Sequence, residues 1–261
     1  SQFGSDKRFA PFYSIGIGWN IHREKFMEKQ GVVNNFRLRG SYGKTGSQQF
    51  DSYQALRTYQ YYTEDRYMVW NGAELMGFGN DELEWQITDQ FDLGVELGLW
   101  NNRVSLTFDA YNKKTSNLLS QMDVPLANGF SSYTANVGEV KNVGFETSLS
   151  VYPIRDTERE LVWMLTGKLA YTKNEITKLS DAIKAQNEEY KKQDVEVNNL
   201  LYEGYSQYAI YAVPSLGIDP STGNELYLDE NGNVTDEWHA SAKQYFGQRE
   251  PKFRGNINSL L

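Results

Sequence analysis

Residues 83–114 read LEWQITDQFDLGVELGLWNNRVSLTFDAYNKK. Over residues 85–99 the odd positions are apolar, with one exception, and the even positions are polar or glycine. After Asn101 and Asn102 the parity changes, and over residues 104–110 the apolar side chains fall on even positions. Successive side chains of a β-strand point to opposite faces, so this pattern predicts two strands joined by a two-residue hairpin turn.

The turn also predicts the register of the two strands. If the two asparagines form the turn, the numbers of opposed residues sum to 203, so that Leu99 faces Val104 and Leu93 faces Ala110. Apolar residues then meet on one face along the whole ribbon, and polar residues or glycines meet on the other. Asparagine tolerates the positive φ that such turns require.

The length of the first strand bears on its environment. Strands in soluble proteins usually have about 5–6 residues, whereas a tilted strand that crosses a bilayer needs about 9–11. A long hairpin with one apolar and one polar face suits a membrane β-barrel, with the apolar side toward lipid and the polar side toward the lumen. The hairpin alone also allows a second interpretation, the edge of a soluble β-sandwich with one packed face.

Composition excludes several classes of protein. The 261 residues include no Cys, which excludes a disulfide framework and a thiolate metal site. The formal net charge of −8 argues against nucleic acid as a partner. The chain starts at Ser1 without a signal peptide, and residues 256–261 end within a predicted strand. We therefore expect residues 1–261 to be a partial barrel domain, truncated at both ends.

Alternating polarity predicts seven strands in the chain, with one short helix in a loop. The predicted strands are residues 9–21, 35–42, 85–99, 104–114, 136–152, 161–172 and 253–261. The spacing of apolar residues predicts the helix over residues 175–190. A small hairpin is predicted around the turn at residues 229–232.

The connections between the predicted strands fall into two classes. They are shorter after strands one, three and five, and long after strands two, four and six, where residues 43–81, 115–135 and a segment that extends to 249 form loops. Bacterial outer-membrane barrels alternate short periplasmic turns with long outer loops in this way. Arg37 and Arg39 lie on one face of the second strand, where they suit a water-filled lumen better than lipid or a sandwich core. The predicted fold is therefore an all-β, antiparallel transmembrane β-barrel segment with long extracellular loops.

The segment 136–146, NVGEVKNVGFE, resembles a signature of the SusC family of TonB-dependent outer-membrane transporters. Four other segments resemble landmarks of that family in the same order along the chain. They are residues 12–21 (FYSIGIGWNI), 38–46 (LRGSYGKTG), 109–119 (DAYNKKTSNLL) and 217–223 (GIDPSTG).

The resemblance implies more than the residues themselves establish. It implies a barrel of about 22 strands, of which this chain forms about seven, closed inside by an N-terminal plug. It also implies energy from the TonB-ExbB-ExbD system, a SusD-like surface lipoprotein, and import of oligosaccharides or peptides across the outer membrane of a Gram-negative bacterium. No cofactor is implied. The alternatives are a soluble carbohydrate-binding β-sandwich module and an outer-membrane enzyme.

Candidate binding residues are the aromatic side chains of the first long loop. Sugars stack on flat apolar rings that carry a polar tip, although packing within the loop or against the lipoprotein would also explain these residues. The candidates are Tyr59, Tyr61, Tyr62, Tyr67 and Trp70, with Tyr53 nearby.

The signature residues are interpreted as structural, because glycine lets neighbouring groups approach closely. They are Asn136, Gly138, Asn142, Gly144 and Glu146. Asp92, Glu96 and Asp109 form an acidic patch on the polar face, either as a solvated lumen wall or as a contact for plug arginines.

No arrangement of residues predicts catalysis or metal binding. His22 and His239 lie in connections at opposite ends of the predicted barrel axis, and nothing in the sequence points to a nucleophile and an orienting group beside either of them. Residues 229–233, DENGN, hint at a Ca²⁺ loop, but their glycine stands at the fourth position rather than the sixth. We interpret them as an Asn-Gly turn.

Overall fold

The structure is a computed structural model. It describes residues 10–47, 55–77, 79–80, 82–123, 129–130, 132–156, 158–192, 194 and 200–261, and the side chains of 65–67 and 122–123 are outside the description. Tyr53 and Phe9 therefore lie outside the described residues. None of the described helices is long and apolar enough to cross a membrane.

Seven strands form one antiparallel sheet, which confirms the all-β prediction. In sheet order these strands are β1 (Tyr13–Asn20), β2 (Val33–Ser47), β5 (Gln86–Leu99), β6 (Val104–Asp123), β7 (Ser132–Asp156), β8 (Leu161–Leu179) and β14 (Phe253–Leu260). Each strand pairs with its neighbour in that order, and β1 and β14 form the two edges, so the described sheet is open and does not close into a barrel. The numbers missing from this list belong to elements of the loops.

The predicted hairpin has the predicted register. Leu99 pairs with Val104 and Leu93 with Ala110 across β5 and β6. Asn101 and Asn102 have φ of 56° and 58°, as a primed two-residue turn requires. The amide of residue 103 donates to the carbonyl of residue 100 at 3.1 Å and closes the turn.

The two faces of the sheet differ along its whole width. One row of paired residues on the apolar face is Ile17, Gly40, Leu93, Ala110, Phe145, Tyr171 and Phe253. The adjacent row on the polar face is Gly18, Arg39, Gly94, Asp109, Glu146, Ala170 and Arg254. On the apolar face, Ile17 is 77% exposed and Leu93 is 50% exposed, so the described chain supplies no second layer over them. A sandwich would bury these side chains.

Several strands are longer than the alternation predicts. The predicted loop over residues 115–135 is wrong, because β6 continues to Asp123 and β7 begins at Ser132. Register shifts between Thr115 and Leu118 break the alternation there, and Asn117 adopts a φ of 56°. A bulge lets a strand continue while its side-chain parity changes, so a prediction based on strict alternation ends the strand too early.

The same correction applies to other strand ends. Residues 175–179 belong to β8, and the helix α1 is Asp181–Lys192 rather than 175–190. The first strand begins at Tyr13, after Pro11, and β2 continues to Ser47 beyond its predicted end at residue 42.

The connections lie at opposite ends of the sheet, as predicted, but their lengths differ less strictly. Residues 21–32, 100–103 and 157–160 connect strands at one end, and residues 48–85, 124–131 and 180–252 connect them at the other. The connection 124–131 is short, because the strands themselves extend into the predicted loop. The 48–85 connection contains a hairpin of β3 (Thr58–Tyr67) and β4 (Trp70–Gly77).

The last connection holds the helix and two small sheets. One sheet pairs β9 (Ala209–Ala212) with β13 (Gln244–Gln248), and the other contains β10 (Ser215–Ile218), β11 (Glu225–Leu228) and β12 (Val234–Thr235). The predicted hairpin is thus confirmed as β11 and β12. Its turn is an Asn-Gly turn in which Asp229 Oδ1 accepts the amides of Asn231 at 2.9 Å and Asn233 at 2.7 Å.

The buried core lies at this loop end of the sheet. Its members come from β7, β8 and α1, and they are Ala135, Val137, Val140, Ile176, Leu179 and Ile183. Ile183 is the residue through which α1 packs against the extended ends of β7 and β8. The loop is therefore anchored to the sheet by apolar packing.

Candidate functional site

The polar face of the sheet carries an ion-pair network across three strands. Arg39 on β2 reaches Asp109 on β6 with an Nη2–Oδ1 distance of 2.6 Å, and its Nη1 lies 3.5 Å from Glu96 Oε1 on β5. Arg39 passes over Gly94, where an added Cβ would collide with both partners of the ion pair. The glycine is therefore required for the contact between non-adjacent strands.

This network changes the interpretation of the predicted acidic patch. The three carboxylates share one face, as predicted, but Arg39 pairs with two of them. Asp92 accepts hydrogen bonds from Ser41 at 3.2 Å and from Gln90 at 2.8 Å. The face is thus a mixed network of charges and hydrogen bonds rather than a bare acidic surface.

The signature glycines lie at close approaches. Beside Gly144, the Tyr111 side chain crosses from β6 to β8, and its hydroxyl lies 2.9 Å from Thr172 Oγ1. A Cβ at Gly138 would collide with the carbonyl oxygen of Lys178. At Gly138 the backbone of the next strand occupies the space that the glycine leaves, and at Gly144 both the Tyr171 carbonyl oxygen of the next strand and the Tyr111 side chain occupy it.

The signature asparagine Asn136 ties two other strands to β7. Its Oδ1 accepts the amide of Glu84 at 2.9 Å, and its Nδ2 donates to the carbonyls of Glu84 at 3.2 Å and Asn117 at 2.8 Å. These bonds fix the start of β5 and the bulge of β6.

The second signature asparagine, Asn142, begins a chain of hydrogen bonds into the last loop. Asn174 Nδ2 donates to Asn142 Oδ1 at 2.8 Å. Asn174 Oδ1 in turn accepts from Ser206 Oγ at 3.0 Å and from the amide of Gln207 at 2.8 Å. Asn174 and Ser206 are both buried. The wall of the sheet thereby positions residues 204–208.

Two open grooves follow the polar face. One, of about 610 Å³, is lined by Asp109, Lys168 and Arg254 among others, and the second, of about 620 Å³, by Arg37 and Arg39. The signature residue Glu146 lines both grooves. In the described part of the chain its carboxylate makes neither a hydrogen bond nor an ion pair.

The predicted aromatic candidates lie on the β3–β4 hairpin. Tyr59, Tyr61 and Trp70 are 55%, 67% and 72% exposed. The Tyr62 hydroxyl donates to the Glu74 carboxylate across the hairpin, and the Tyr67 side chain lies outside the description. Binding by these residues stays a prediction.

A denser aromatic cluster lies in the last loop, where the sequence analysis proposed no site. Tyr202, Tyr205, Tyr211 and Tyr245 make ring contacts with centroid distances from 4.9 to 6.0 Å. We call these four residues the tyrosine cluster. The stretch 202–211, YEGYSQYAIY, repeats tyrosine every third residue, and this repeat is the sequence signal that would have found it.

The histidines do not form a site together. The ring Nδ1 of His22 lies 3.2 Å from the backbone nitrogen of Phe36 at the start of β2. The ring Nδ1 of His239 lies 3.0 Å from Asp194 Oδ2, and this carboxylate raises the pKa of His239. The described residues contain no group of three or more side chains suited to a metal ion.

The two-faced sheet, its open edges and its asymmetric connections define a segment of a β-barrel wall. A family model described as TonB dependent receptor-like, beta-barrel matches residues 1–258. The chain belongs to this family of outer-membrane receptors and transporters.

Two curated relatives indicate which kind of TonB-dependent receptor the chain resembles. The chain is 29% identical to TonB-dependent receptor SusC of Bacteroides thetaiotaomicron, over 90% of this chain and 24% of that protein. It is 31% identical to TonB-dependent receptor P39 of Formosa agariphila, over 92% of this chain and 22% of that protein. The chain thus spans about a quarter of the length of these relatives, and the resemblance to SusC proteins is confirmed.

Solved structures agree with the relatives. The RagAB peptide transporter matches 98% of this chain and 28% of its own, with a TM-score of 0.81 and 26% identity. The RagAB peptide importer in its closed-closed state matches with a TM-score of 0.78 and 28% identity.

Proposed function

We propose that this chain forms part of the barrel wall of an active importer in the outer membrane of a Gram-negative bacterium. Residues 1–261 would supply about seven strands of a barrel domain that other parts of the protein complete. The observation that supports this proposal most directly is the exposed apolar face of the seven-stranded sheet, which lies opposite a charged polar face. Only hydrocarbon on one side and water on the other satisfy both faces.

The proposed mechanism is transport without bond chemistry. Energy would come from the inner membrane through TonB-ExbB-ExbD, acting on a plug that precedes the barrel. A SusD-like surface lipoprotein would capture substrate outside. Family membership supports these partners, as does the likeness to RagAB. No metal or cofactor takes part in the proposal.

The proposed substrates are oligosaccharides or peptides. RagAB is described as a peptide transporter, which supports the second class. The exposed rings of Tyr59, Tyr61 and Trp70 support the first, because a sugar ring stacks on such surfaces. These three side chains, with Tyr62 and Tyr67 beside them, are proposed as a contact surface at the outer end of the barrel.

Uptake by cells tests the proposal. Cells that carry the full-length transporter should accumulate a fluorescently labelled oligosaccharide or peptide, and deletion of either the transporter or TonB should abolish accumulation. The transporter should require detergent for extraction and should change its gel mobility on boiling. Recovery in the soluble fraction, or uptake that persists without TonB, would contradict the proposal.

A further inference from the structure

We propose that the tyrosine cluster in the connection between β8 and β14 binds the flat face of a neutral sugar ring. The inference deepens the importer proposed above and rests on it for its place in transport. The cluster is separate from the β3–β4 hairpin that the sequence predicted. It lies on segments that the sheet holds in position.

The four rings contact one another in edge-on or tilted pairs, with interplanar angles from 51° to 70°. Tyr211 on β9 and Tyr245 on β13 are paired residues whose centroids lie 6.0 Å apart. The ring of Tyr205 lies 4.9 Å from Tyr245 and 5.9 Å from Tyr211, and Tyr202 lies 5.0 Å from Tyr211. Tyr205 and Tyr245 remain 41% and 42% exposed, so two of the four rings face outward.

The surface is preorganised by the barrel wall. The amide of Ile176 on β8 donates to the carbonyl of Tyr205 at 2.8 Å, and the amide of Gly204 donates back to the carbonyl of Ile176 at 2.9 Å. The Asn142–Asn174–Ser206 hydrogen bonds described above hold the adjacent residue. Binding to a fixed surface requires little further ordering, and tyrosine itself has few rotatable bonds.

The charges beside the cluster are already paired. Lys191 lies 5.7 Å from the centre of the Tyr202 ring, and its Nζ is 3.1 Å from Glu188. Glu203, between the first two tyrosines in sequence, pairs with Lys184 at 2.8 Å. An acidic or phosphorylated ligand would need an unpaired cation here, so the pairing favours an uncharged ligand.

The chemistry of tyrosine selects a sugar among uncharged ligands. The C–H groups on one face of a pyranose carry partial positive charge, and the face of an aromatic ring is negative. Tyrosine also carries a hydroxyl, which can donate a hydrogen bond to a sugar hydroxyl or accept one from it. An apolar surface without such hydroxyls would favour an aliphatic ligand instead.

One hydroxyl of the cluster lacks a partner. The Tyr211 hydroxyl is buried and makes no hydrogen bond within the described chain. Buried polar groups are normally paired, and burial raises the pKa of Tyr211, so the group remains a donor. In the proposed complex a sugar hydroxyl supplies the missing hydrogen-bond partner.

Binding by variants of the full-length transporter in detergent tests the inference. The probes are an array of neutral glucans, mannans, xylans and galactans and, in parallel, a library of short peptides. The wild-type protein should retain a neutral oligosaccharide, and the combined Tyr205→Ala and Tyr245→Ala variant should bind it on the order of tenfold more weakly or worse. Tyr208→Ala is the matched control, because Tyr208 is 42% exposed and makes no ring contact within the described chain.

A second variant separates binding from folding. Tyr211→Phe keeps the ring and removes the unpaired hydroxyl, so it should weaken oligosaccharide binding several-fold without lowering the thermal midpoint of unfolding. The gel mobility of unboiled samples should be the same for every variant.

Three results would overturn the inference: no neutral oligosaccharide retained by the wild type, equal binding by the combined variant, or peptides retained through the cluster in place of sugars.

Uptake measurements distinguish a failure of the cluster proposal from a failure of the importer proposal. If the combined variant imports sugar normally through TonB, the cluster proposal fails and the importer stands. If sugar binding depends on the cluster but uptake does not depend on TonB, the importer fails and the cluster stands.

Discussion

Replacing Gly94 with alanine is expected to break the Arg39–Asp109 ion pair that crosses three strands. The added Cβ would lie 2.6 Å from Asp109 Oδ1 and 2.6 Å from Arg39 Cγ, too close for either to stay in place. The two side chains are 42% and 41% exposed, so the ion pair itself contributes at most about 1 kcal/mol. Asp109 would then face Glu146, its partner on β7, without a counterion.

The magnitude follows from these terms. Crowding by one methyl group in a packed position costs about 1–3 kcal/mol, and like charges opposite one another on a sheet cost up to about 1 kcal/mol. Together with the lost ion pair, we expect Gly94→Ala to lower the free energy of unfolding by about 2–3 kcal/mol.

Guanidinium unfolding of the full-length transporter in lipid vesicles, followed by tryptophan fluorescence, measures the loss. The control is Gly167→Ala on β8, where an added Cβ would meet nothing within 4 Å. A double-mutant cycle with Arg39→Ala tests the cause, because the alanine at position 94 should cost much less once Arg39 is gone. An equal loss in both backgrounds, or a loss as small as that of the control, would refute the reasoning.

The other predictions concern a loop, the wall and the lipid face. Asp194 raises the pKa of His239 above 6.5, while the Ala240 amide and His239 lower the pKa of Asp194 below 3.8. The contact should therefore be complete from about pH 4 to 6.5. Protection of the Ala240 amide, measured as its exchange rate relative to the intrinsic rate at each pH, should fall as the pH rises through the raised pKa of His239. A protection profile unchanged by His239→Ala would contradict this. Asn142→Ala leaves the buried Asn174 amide nitrogen unpaired, so it should cost about 1–3 kcal/mol and speed exchange over residues 204–208, and exchange equal to the wild type would contradict it. Leu93→Arg should lower stability in a bilayer by about 2–4 kcal/mol, whereas no loss would contradict a lipid-facing position.

The sequence predicted the sheet because its information is local there. A period of two and an Asn-Asn turn together determine the register of β5 and β6, so that Leu99 and Val104 were paired correctly without coordinates. The same reasoning stopped where the strands bulge. Asn117 adopts a left-handed conformation that shifts the alternation of side chains, so the sequence of the strand beyond it resembles that of a loop.

The candidate site was less predictable, because it depends on contacts between distant segments. Nothing in the local sequence shows that Arg39 will pass over Gly94, or that Tyr205 will contact both Tyr211 and Tyr245. These contacts require the strand order and the path of a connection more than seventy residues long, from 180 to 252. The spacing of the tyrosines was visible in the sequence, but their common position was not.

The orientation of the sheet in the membrane is the central claim, and site-directed fluorescence quenching tests it most directly. The chain contains no cysteine, so single cysteines introduced at Leu93, Phe108, Glu96 and Thr107 can each carry one fluorescent label in the vesicle-embedded transporter. Labels at Leu93 and Phe108 should be quenched by brominated lipid and protected from iodide, and labels at Glu96 and Thr107 should avoid brominated lipid. Labels at Leu93 and Phe108 that neither quencher reaches, or that iodide quenches first, would show that protein or water rather than lipid covers the apolar face.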